Sequence, residues 1–461
     1  VGLSRVLIAN RGEIAVRIIR ACRALGLETV LAVSEADRET LPARMADRVV
    51  CIGPASAQHS YLNVGAIVAA ALGTGADAVH PGYGFLAESP ELAEACAAYG
   101  LVFVGPRPEQ IRLMGNKLEA RRLAERCGVP VLPGSEPVRS AGEAVRKAEE
   151  IGFPVMLKAA AGGGGRGMKV AHDPRELEAS FAAAAGEARA AFGDETLYLE
   201  RYVPHARHVE VQILSDAQGT VLHLGDRDCS LQRRHQKVVE EALAPNLSDS
   251  LRTSLWSAAV TLARSMGYLN AGTVEFLVDV EAGRFYFLEM NTRIQVEHPV
   301  TEAVTGIDIV QEQFRIAAGE PLRWRQEEVR FAGHAIECRL TAEDATRAFR
   351  PSPGRITVWE VPQGPGIRLD THCFAGYEVP VYYDSLLGKL ITYGQDREEA
   401  VRRMQEALEA FQVEGISTTL PFLRFVVSTP EFQEGRVHTR LLEDLIRRWR
   451  AVRGAETERA S

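Results

Sequence analysis

The sequence predicts a multidomain protein of mixed α/β and α+β class that begins with a parallel sheet. Three observations carry this expectation. At 461 residues the chain is longer than one hydrophobic core ordinarily organises, so roughly two to four domains are expected. From Arg5 to Leu113 short apolar runs alternate with amphipathic stretches, the pattern of βαβ units whose parallel strands carry helices on their faces. Beyond that region strand-like segments predominate, and several of them place polar residues at alternate positions.

Taken in order, Val6-Leu7-Ile8-Ala9 reads as a strand, 12–25 as an amphipathic helix and 29–33 as a second strand. Further strands are expected at 78–80 and 102–104, with helices over 64–72 and 92–98 between them. The loops Asn10-Arg11-Gly12-Glu13 and Pro81-Gly82-Tyr83-Gly84-Phe85 follow strands, which is where such sheets take ligands. Neither is a G-x-G-x-x-G fingerprint, which argues against a dinucleotide. A boundary is placed near 106–114, and a helix starts around Lys117. Between Pro130 and Pro204 a compact subdomain is expected: a strand at 153–158, a glycine loop, a strand at 168–171, then an Ala-rich helix to Phe192. Strands return at 197–202 and 208–214, where alternation puts His208, Glu210 and Gln212 on one face. After Glu320 come a strand at 333–339, a turn at 351–354, a helix over 398–411 and a polar, frayed tail from Ala451.

Composition narrows the function classes. Hydrophobic residues at 46% and charged ones at 25% are ordinary for a globular enzyme. With 53 basic and 61 acidic side chains the formal charge is −8, so general affinity for nucleic acid or an anionic membrane is not expected and anion binding must come from local placement. No stretch approaches the roughly 20 apolar residues of a membrane helix, and the N-terminus shows no signal-peptide pattern, so a cytoplasmic protein is expected. The seven cysteines are scattered without a C-x-x-C pair, which suggests neither zinc nor a disulfide framework.

Three clusters point to chemistry. In 289–298 the residues Glu289, Asn291, Arg293, Gln295 and Glu297 alternate and would line one face of an extended strand. The strand around Glu275 precedes it, and a hairpin through Glu281-Ala282-Gly283 would bring Glu275 opposite Glu289. Like charges facing one another are destabilising unless a cation is bound. Paired carboxylates suit Mg²⁺, which prefers hard oxygens and substrate phosphates. An exposed edge strand with cross-strand ion pairs is the plainer account. In the second cluster four glycines, Gly162 to Gly165, lie between two strands after Lys158. Such a run costs order on folding; it serves either as a flexible hinge or as a phosphate lid with backbone N–H groups facing the anion. It is not a Walker A loop. Lys117 alone reads as an ordinary surface lysine. The third, from Asp226 to Glu241, is either a basic patch or a site where Gln232, His235 and Lys237 recognise hydroxyls and anions; without interleaved aromatics it does not suit single-stranded nucleic acid.

Together these motifs resemble biotin carboxylase, an ATP-grasp family, and most of all the free-standing bacterial subunit of acetyl-CoA carboxylase. The resemblance runs in order through Ile8-Ala9-Asn10-Arg11-Gly12-Glu13-Ile14-Ala15, His80-Pro81-Gly82-Tyr83-Gly84-Phe85-Leu86, the glycine loop, Arg207-His208-Val209-Glu210 and 289–302. It continues through His334-Ala335-Ile336-Glu337-Cys338-Arg339, Pro351-Ser352-Pro353-Gly354 and Tyr382-Tyr383-Asp384-Ser385. It implies an N-terminal pre-ATP-grasp domain over 1–113, an ATP-grasp domain over 114–330 with a mobile lid at about 131–204, a C-terminal biotin-carboxylase domain over 331–450 and a tail at 451–461.

By matching motif, the resemblance implies that ATP is bound by Lys117, Lys158, Gly163, Gly164, Gly165 and Met168, by the hinge residues Glu200, Arg201 and Val203, and by His208, Gln232 and His235. Glu275 and Glu289, with Asn291, would hold Mg²⁺ or Mn²⁺. Lys237, Arg293, Gln295 and the backbone of Val296 would form the bicarbonate pocket, with Glu297 as general base, Arg339 stabilising the biotin enolate and Tyr83 beside biotin. Biotin is expected on a separate biotin carboxyl carrier protein, because the chain ends without a biotinyl-lysine motif; carboxyltransferase subunits and a homodimer complete the expected assembly. The biotin carboxylase subunit of a pyruvate or other acyl-CoA carboxylase is the alternative. Departures from the family pattern are Ala161 before the glycines, Asn116 where Asp is common, and longer segments near Leu243 and before Glu289. Another ATP-grasp ligase would share the nucleotide residues but not Arg293, Gln295, Glu297 and Arg339 together; a catalytically silent regulatory subunit would not need Glu275, Glu289, Glu297 and Arg339 intact.

Overall fold

The structure, a computed structural model, describes residues 2–161 and 167–460, with side chains up to residue 453. Five parallel strands open the chain: β1 (Arg5–Ile8), β2 (Glu28–Ser34), β3 (Arg48–Gly53), β4 (Ala78–His80) and β5 (Val102–Phe103), in the order β3-β2-β1-β4-β5. Helix α1 (Gly12–Ala24) buries Ile14, Ile18, Ile19 and Cys22 at helical spacing against the sheet, and its entry at Gly12 uses a φ of +66° that glycine adopts without strain. Strand β3, which alternation alone did not reveal, is an edge strand with a largely exposed pattern. Strand order reverses between β1 and β4, so the loops after these two strands open side by side at the switch point. Asn10 Nδ2 ties them together by donating to the carbonyls of Pro81 at 2.8 Å and Tyr83 at 2.7 Å.

The segment around the boundary placed near 106–114 is a helix, Pro108–Gly115. A proline at its first turn and the buried Ile111 and Met114 account for it, and Gln110 docks it by donating to the Met266 and Gly267 carbonyls. Helix α2 (Lys117–Arg126) follows, capped by the Asn116 side chain, which accepts from Leu118 N at 3.1 Å and Glu119 N at 3.2 Å. Asn caps as well as Asp does, so the departure at 116 keeps the helix start that presents Lys117. The subdomain at 130–204 is a three-stranded sheet, β7 (Lys169–Ala171), β6 (Val155–Ala159) and β8 (Leu197–Arg201), covered by α3 (Ala141–Ile151) and α4 (Pro174–Phe192).

Eight longer strands form one antiparallel sheet: β9 (Arg207–Ser215), β10 (Val221–Arg233), β11 (Gln236–Ala242), β12 (Asn270–Asp279), β13 (Arg284–Asn291), β14 (His334–Thr341), β15 (Ile367–Thr371) and β16 (Leu386–Gly394), while short strands between Glu343 and Glu414 pair in separate two-stranded ladders. Their order is β13-β12-β9-β10-β11-β14-β16-β15. The sheet runs without a break across the boundary expected near residue 330, because β11 pairs with β14 from Val239↔Cys338 to Ala242↔Ala335. Helix α5 (His298–Thr305) lies against this junction, and α6 (Arg397–Ala410) packs on β14 and β16. The tail expected to fray from Ala451 is helical, as the end of α7 (Leu441–Ala460); its Ala, Glu and Arg residues favour helix.

Candidate active site

The central sheet sets three carboxylates side by side. In the β12–β13 hairpin Glu275 faces Glu289, as the turn at Glu281–Gly283 predicts, and on the other side Glu275 faces Glu210 of β9. Such an array needs cations. Lys237, on β11, supplies one: its Nζ donates to Glu210 at 2.6 Å, Glu275 at 2.8 Å and Glu297 at 2.8 Å. Burial opposes its charge, but the three carboxylates hold its pKa well above the usual lysine range. Arg227, wholly buried on β10, donates to Glu210, Gln212, Thr273 and Thr301 and sets a second cation beside Glu210 on the same face.

The segment 289–297 is not one strand. An extended run between Glu289 and Glu297 would span about 26 Å at about 3.3 Å per residue. Strand β13 ends instead at Asn291, Ile294 turns fully into the core, and Glu297 is the residue from which α5 starts, just ahead of Pro299. The chain therefore folds back on itself. Arg293 donates to Asn291 Oδ1, the Ile294 carbonyl and Gln295 Oε1, all at 3.1 Å, and lies 3.3 Å from Glu88 of the loop after β4. The residues expected on one strand face thus meet as a cup. Among the described residues, the amide nitrogens of Asn291 and Gln295 are buried donors without a protein partner, a feature that suits a polar ligand.

Glu297 joins this cup to the C-terminal strands. Its Oε1 takes Lys237, and its Oε2 accepts from Arg339 Nη2 at 3.0 Å, while Arg339 Nε donates to Glu240 at 2.6 Å. Against the cost of burial, Lys237 and Arg339 keep the Glu297 carboxyl well below its ordinary range. Burial and the adjacent Glu297 charge push Glu210 up to about 7, and burial, opposed by Arg339, brings Glu240 to about 6. The site thus pairs an ionised carboxylate with neighbours that carry a proton more readily.

On the other side of Glu275 the nucleotide candidates gather. His208 Nε2 lies 3.1 Å from Glu275 Oε2, and Gln232 Nε2 lies 3.2 Å from His208 Nδ1. Burial disfavours the charged form of Glu275, but Lys237 and then His208 bring its pKa well below normal. His235 occupies the β10–β11 turn at a φ of +63°. Lys117 pairs with Glu289, and Lys158 donates to Glu200 at 3.0 Å over the Tyr198 ring. Lys117 N also donates to the Ala160 carbonyl at 3.1 Å, which sets the start of α2 beside the end of β6. Gly163, Gly164 and Gly165 lie outside the described residues; Met168 is half-buried just before β7. Arg201 ends β8 in an exposed position, and Val203 follows in the connection to β9. Glu275, Glu289 and Asn291 offer only oxygen donors toward a metal, and these fit magnesium or manganese.

Tyr83 lies at the switch point, on a cavity of about 280 Å³ lined also by Asn10, Arg11, His372 and Asp384. Its hydroxyl donates to Glu13, which also takes Lys389 at 3.1 Å. Lys389 donates in turn to the Val296 carbonyl at 2.7 Å. Sequence reasoning gave no role to Lys389, Glu88, Arg227 or Glu240. A charged residue inside an otherwise apolar strand, as Lys389 is in β16, was the one signal available.

Comparison with known proteins covers nearly the whole chain. Family models match as the biotin carboxylase N-terminal domain over residues 2–111, the carbamoyl-phosphate synthase L chain ATP-binding domain over 116–325 and the biotin carboxylase C-terminal domain over 337–444. A biotin carboxylase from Pseudomonas aeruginosa is 54% identical, over 96% of this chain and 98% of the relative. A crystal structure of the biotin carboxylase–βγ-ATP complex from Campylobacter jejuni superposes with a TM-score of 0.94 at 46% identity, covering 96% of this chain and 99% of that one. The biotin carboxylase domain dimer of Hydrogenobacter thermophilus 2-oxoglutarate carboxylase, in complex with MgADP, ADP and bicarbonate, does so with a TM-score of 0.93 at 47% identity, covering 96% and 98%. By fold, by domain order and by identity over nearly its full length, the chain belongs to the biotin carboxylase family, with an ATP-grasp core.

Proposed function

We propose that the chain carboxylates biotin carried on a biotin carboxyl carrier protein, using ATP and bicarbonate through carboxyphosphate. The observation that carries this reading is Glu297 held between Lys237 and Arg339, one residue set placed between the nucleotide side and the C-terminal strands. In the first step a bicarbonate oxygen attacks the γ-phosphorus of ATP, ADP leaves, and Glu297 takes the bicarbonate proton. Lys237 and Arg339 hold the Glu297 carboxyl well below its ordinary range, which favours the unprotonated form a general base needs. Arg293 and Lys237 hold the anion, Arg293 by its planar fork. Lys117 and Lys158 neutralise charge that develops on the transferring phosphoryl group. Glu275, Glu289 and Asn291 would hold Mg²⁺, which would supply neutralisation of phosphate charge. Gly163, Gly164, Gly165 and Met168 are assigned to ATP binding; Glu200, Arg201 and Val203 serve the adenine, Gln232 and His235 the ribose side, and His208 contacts ATP.

Carboxyphosphate then breaks to CO2 and phosphate, the phosphate takes the N1′ proton of biotin, and N1′ attacks CO2. Arg339 stabilises the enolate oxygen formed on the way. Gln295 and the Val296 backbone complete the bicarbonate pocket, and Tyr83 adjoins biotin. The reading extends to the first half-reaction of acetyl-CoA carboxylase in fatty-acid synthesis, with carboxyltransferase subunits as further partners and a homodimer as the working unit, as the Hydrogenobacter relative is a dimer. Seven unpaired cysteines are consistent with a reducing, cytoplasmic setting. Among the described residues, no helix is long and apolar enough to cross a membrane.

Purified chain should hydrolyse MgATP only with bicarbonate present, carboxylate free biotin slowly, and show no attached biotin by intact mass. Turnover indifferent to bicarbonate would sink the reading. Copurification of the carrier and transferase identifies the complex, and recovery of a pyruvate- or other acyl-specific transferase would replace the acetyl-CoA assignment.

A further inference from the structure

Lys389 is a lysine with no solvent exposure in the middle of β16. Its Nζ makes two contacts that link distant parts of the chain: the Val296 carbonyl at 2.7 Å and Glu13 at 3.1 Å. Glu13, in the first turn of α1, also accepts the Tyr83 hydroxyl. A single ammonium therefore touches the segment before Glu297 directly and the loop after β4 through one carboxylate. We propose that Lys389 is a positioning residue for bicarbonate: it fixes the plane of the Val296–Glu297 peptide and, through Glu13, ties that plane to Tyr83 at the biotin side of the site.

The physical basis is the planarity of the peptide. With the trans bond fixed, a Val296 carbonyl aimed at Lys389 directs the Glu297 N–H the opposite way and sets the Cα from which the Glu297 side chain departs. Without the ammonium, that carbonyl loses a charge-assisted bond that joins the turn between Asn291 and His298 to β16. Lys389 is also the cross-strand partner of Arg339 on β14. Two cations facing each other require intervening anions; Glu13 serves Lys389, while Glu240 and Glu297 serve Arg339. Burial opposes the Lys389 charge, but Glu13, Glu337 and Asp370 more than offset it, so the ammonium persists. A buried ion pair is weak as a stabilising device, and apolar replacements of similar volume are often neutral or better. Its directional contact with Val296 gives the pair a use beyond stability.

The inference rests on the proposed function, and the test separates the two. Wild-type chain must first show bicarbonate-dependent ATP cleavage; failure there overturns the functional reading. Lys389→Met should raise the bicarbonate KM or lower kcat by about tenfold or more, the scale expected when a pocket is misplaced by a fraction of an ångström. MgATP affinity should stay within about twofold, because Lys117 and Lys158 are untouched. Lys389→Met leaves Glu13 buried without its cation, so the double variant Glu13→Gln with Lys389→Met is made as well. Removing both charges should return Tm toward wild type while the bicarbonate defect remains. The proposal is overturned if Lys389→Met changes bicarbonate kinetics by less than about twofold, or if the double variant restores bicarbonate KM along with Tm, since either result makes the pair a structural tie only. If the single variant does not fold, the double variant carries the same comparison.

Discussion

Arg339 and Glu297 meet at 3.0 Å although 42 residues separate them, and the contact crosses from β14 to the residue that starts α5. Arg339 also holds Glu240, so its guanidinium lies between two buried carboxylates.

Replacing it should separate the two half-reactions. Arg339→Ala should lower biotin carboxylation by roughly 10²-fold or more, since loss of one preorganised charge at a developing oxyanion costs on the order of 3 kcal/mol. Bicarbonate-dependent ATP cleavage should fall much less. Tm should also drop, because Glu240 and Glu297 lose a buried partner. The ratio of the two rates on one preparation is decisive; equal loss of both would reduce Arg339 to a structural role.

Glu297→Gln should leave MgATP affinity nearly intact and reduce bicarbonate-dependent cleavage by about 10²-fold or more, since the amide keeps the shape but accepts no proton. Near-normal turnover would reassign the base, with Glu210, whose pKa is brought to about 7, as the next carboxylate in contact with Lys237.

Glu275→Gln should raise the Mg²⁺ concentration required for half-maximal cleavage, because it removes a charged oxygen from the donor set facing Glu289. The defect should shrink as Mg²⁺ is increased. A magnesium requirement equal to that of wild type would remove Glu275 from the metal site.

Acid stability offers a test away from the chemistry. Glu241 on β11 accepts from His334 at 2.6 Å and Arg397 at 2.8 Å, and despite burial these bring its pKa down to about 2. A carboxyl depressed on folding stabilises the native state above its unfolded value, and this contribution disappears as pH falls from about 4.5 toward 2. It is on the order of 3 kcal/mol. Glu241→Gln should therefore lower Tm at pH 7 and flatten the fall of Tm between about pH 4.5 and 2.5 relative to wild type. Parallel Tm curves for the two proteins would show that Glu241 is not responsible.

How much of this was legible before the fold was known depended on the distance in sequence over which each fact is encoded. The βαβ alternation of the first hundred residues and the opposition of Glu275 to Glu289 rest on local periodicity and a hairpin turn, and both can be read from adjacent residues. The family motifs likewise carry their residue types in short contiguous runs. The same local reasoning failed at 289–297, where alternation suggested a continued strand but burial of Ile294 and the start of α5 turned the chain, and at β3, whose exposed pattern hides an edge strand.

What the sequence by itself determined, then, was the order of the domains, many of the local elements and the residue types of the candidate site. Tertiary structure alone decided that β11 pairs with β14 across the expected boundary, that Lys237 gathers Glu210, Glu275 and Glu297, and that Lys389 reaches Val296. The physical reason is that side-chain period and turn chemistry specify each strand and its faces, whereas the choice of neighbouring strands is made by burial of whole faces against one another, a property of the assembled sheet.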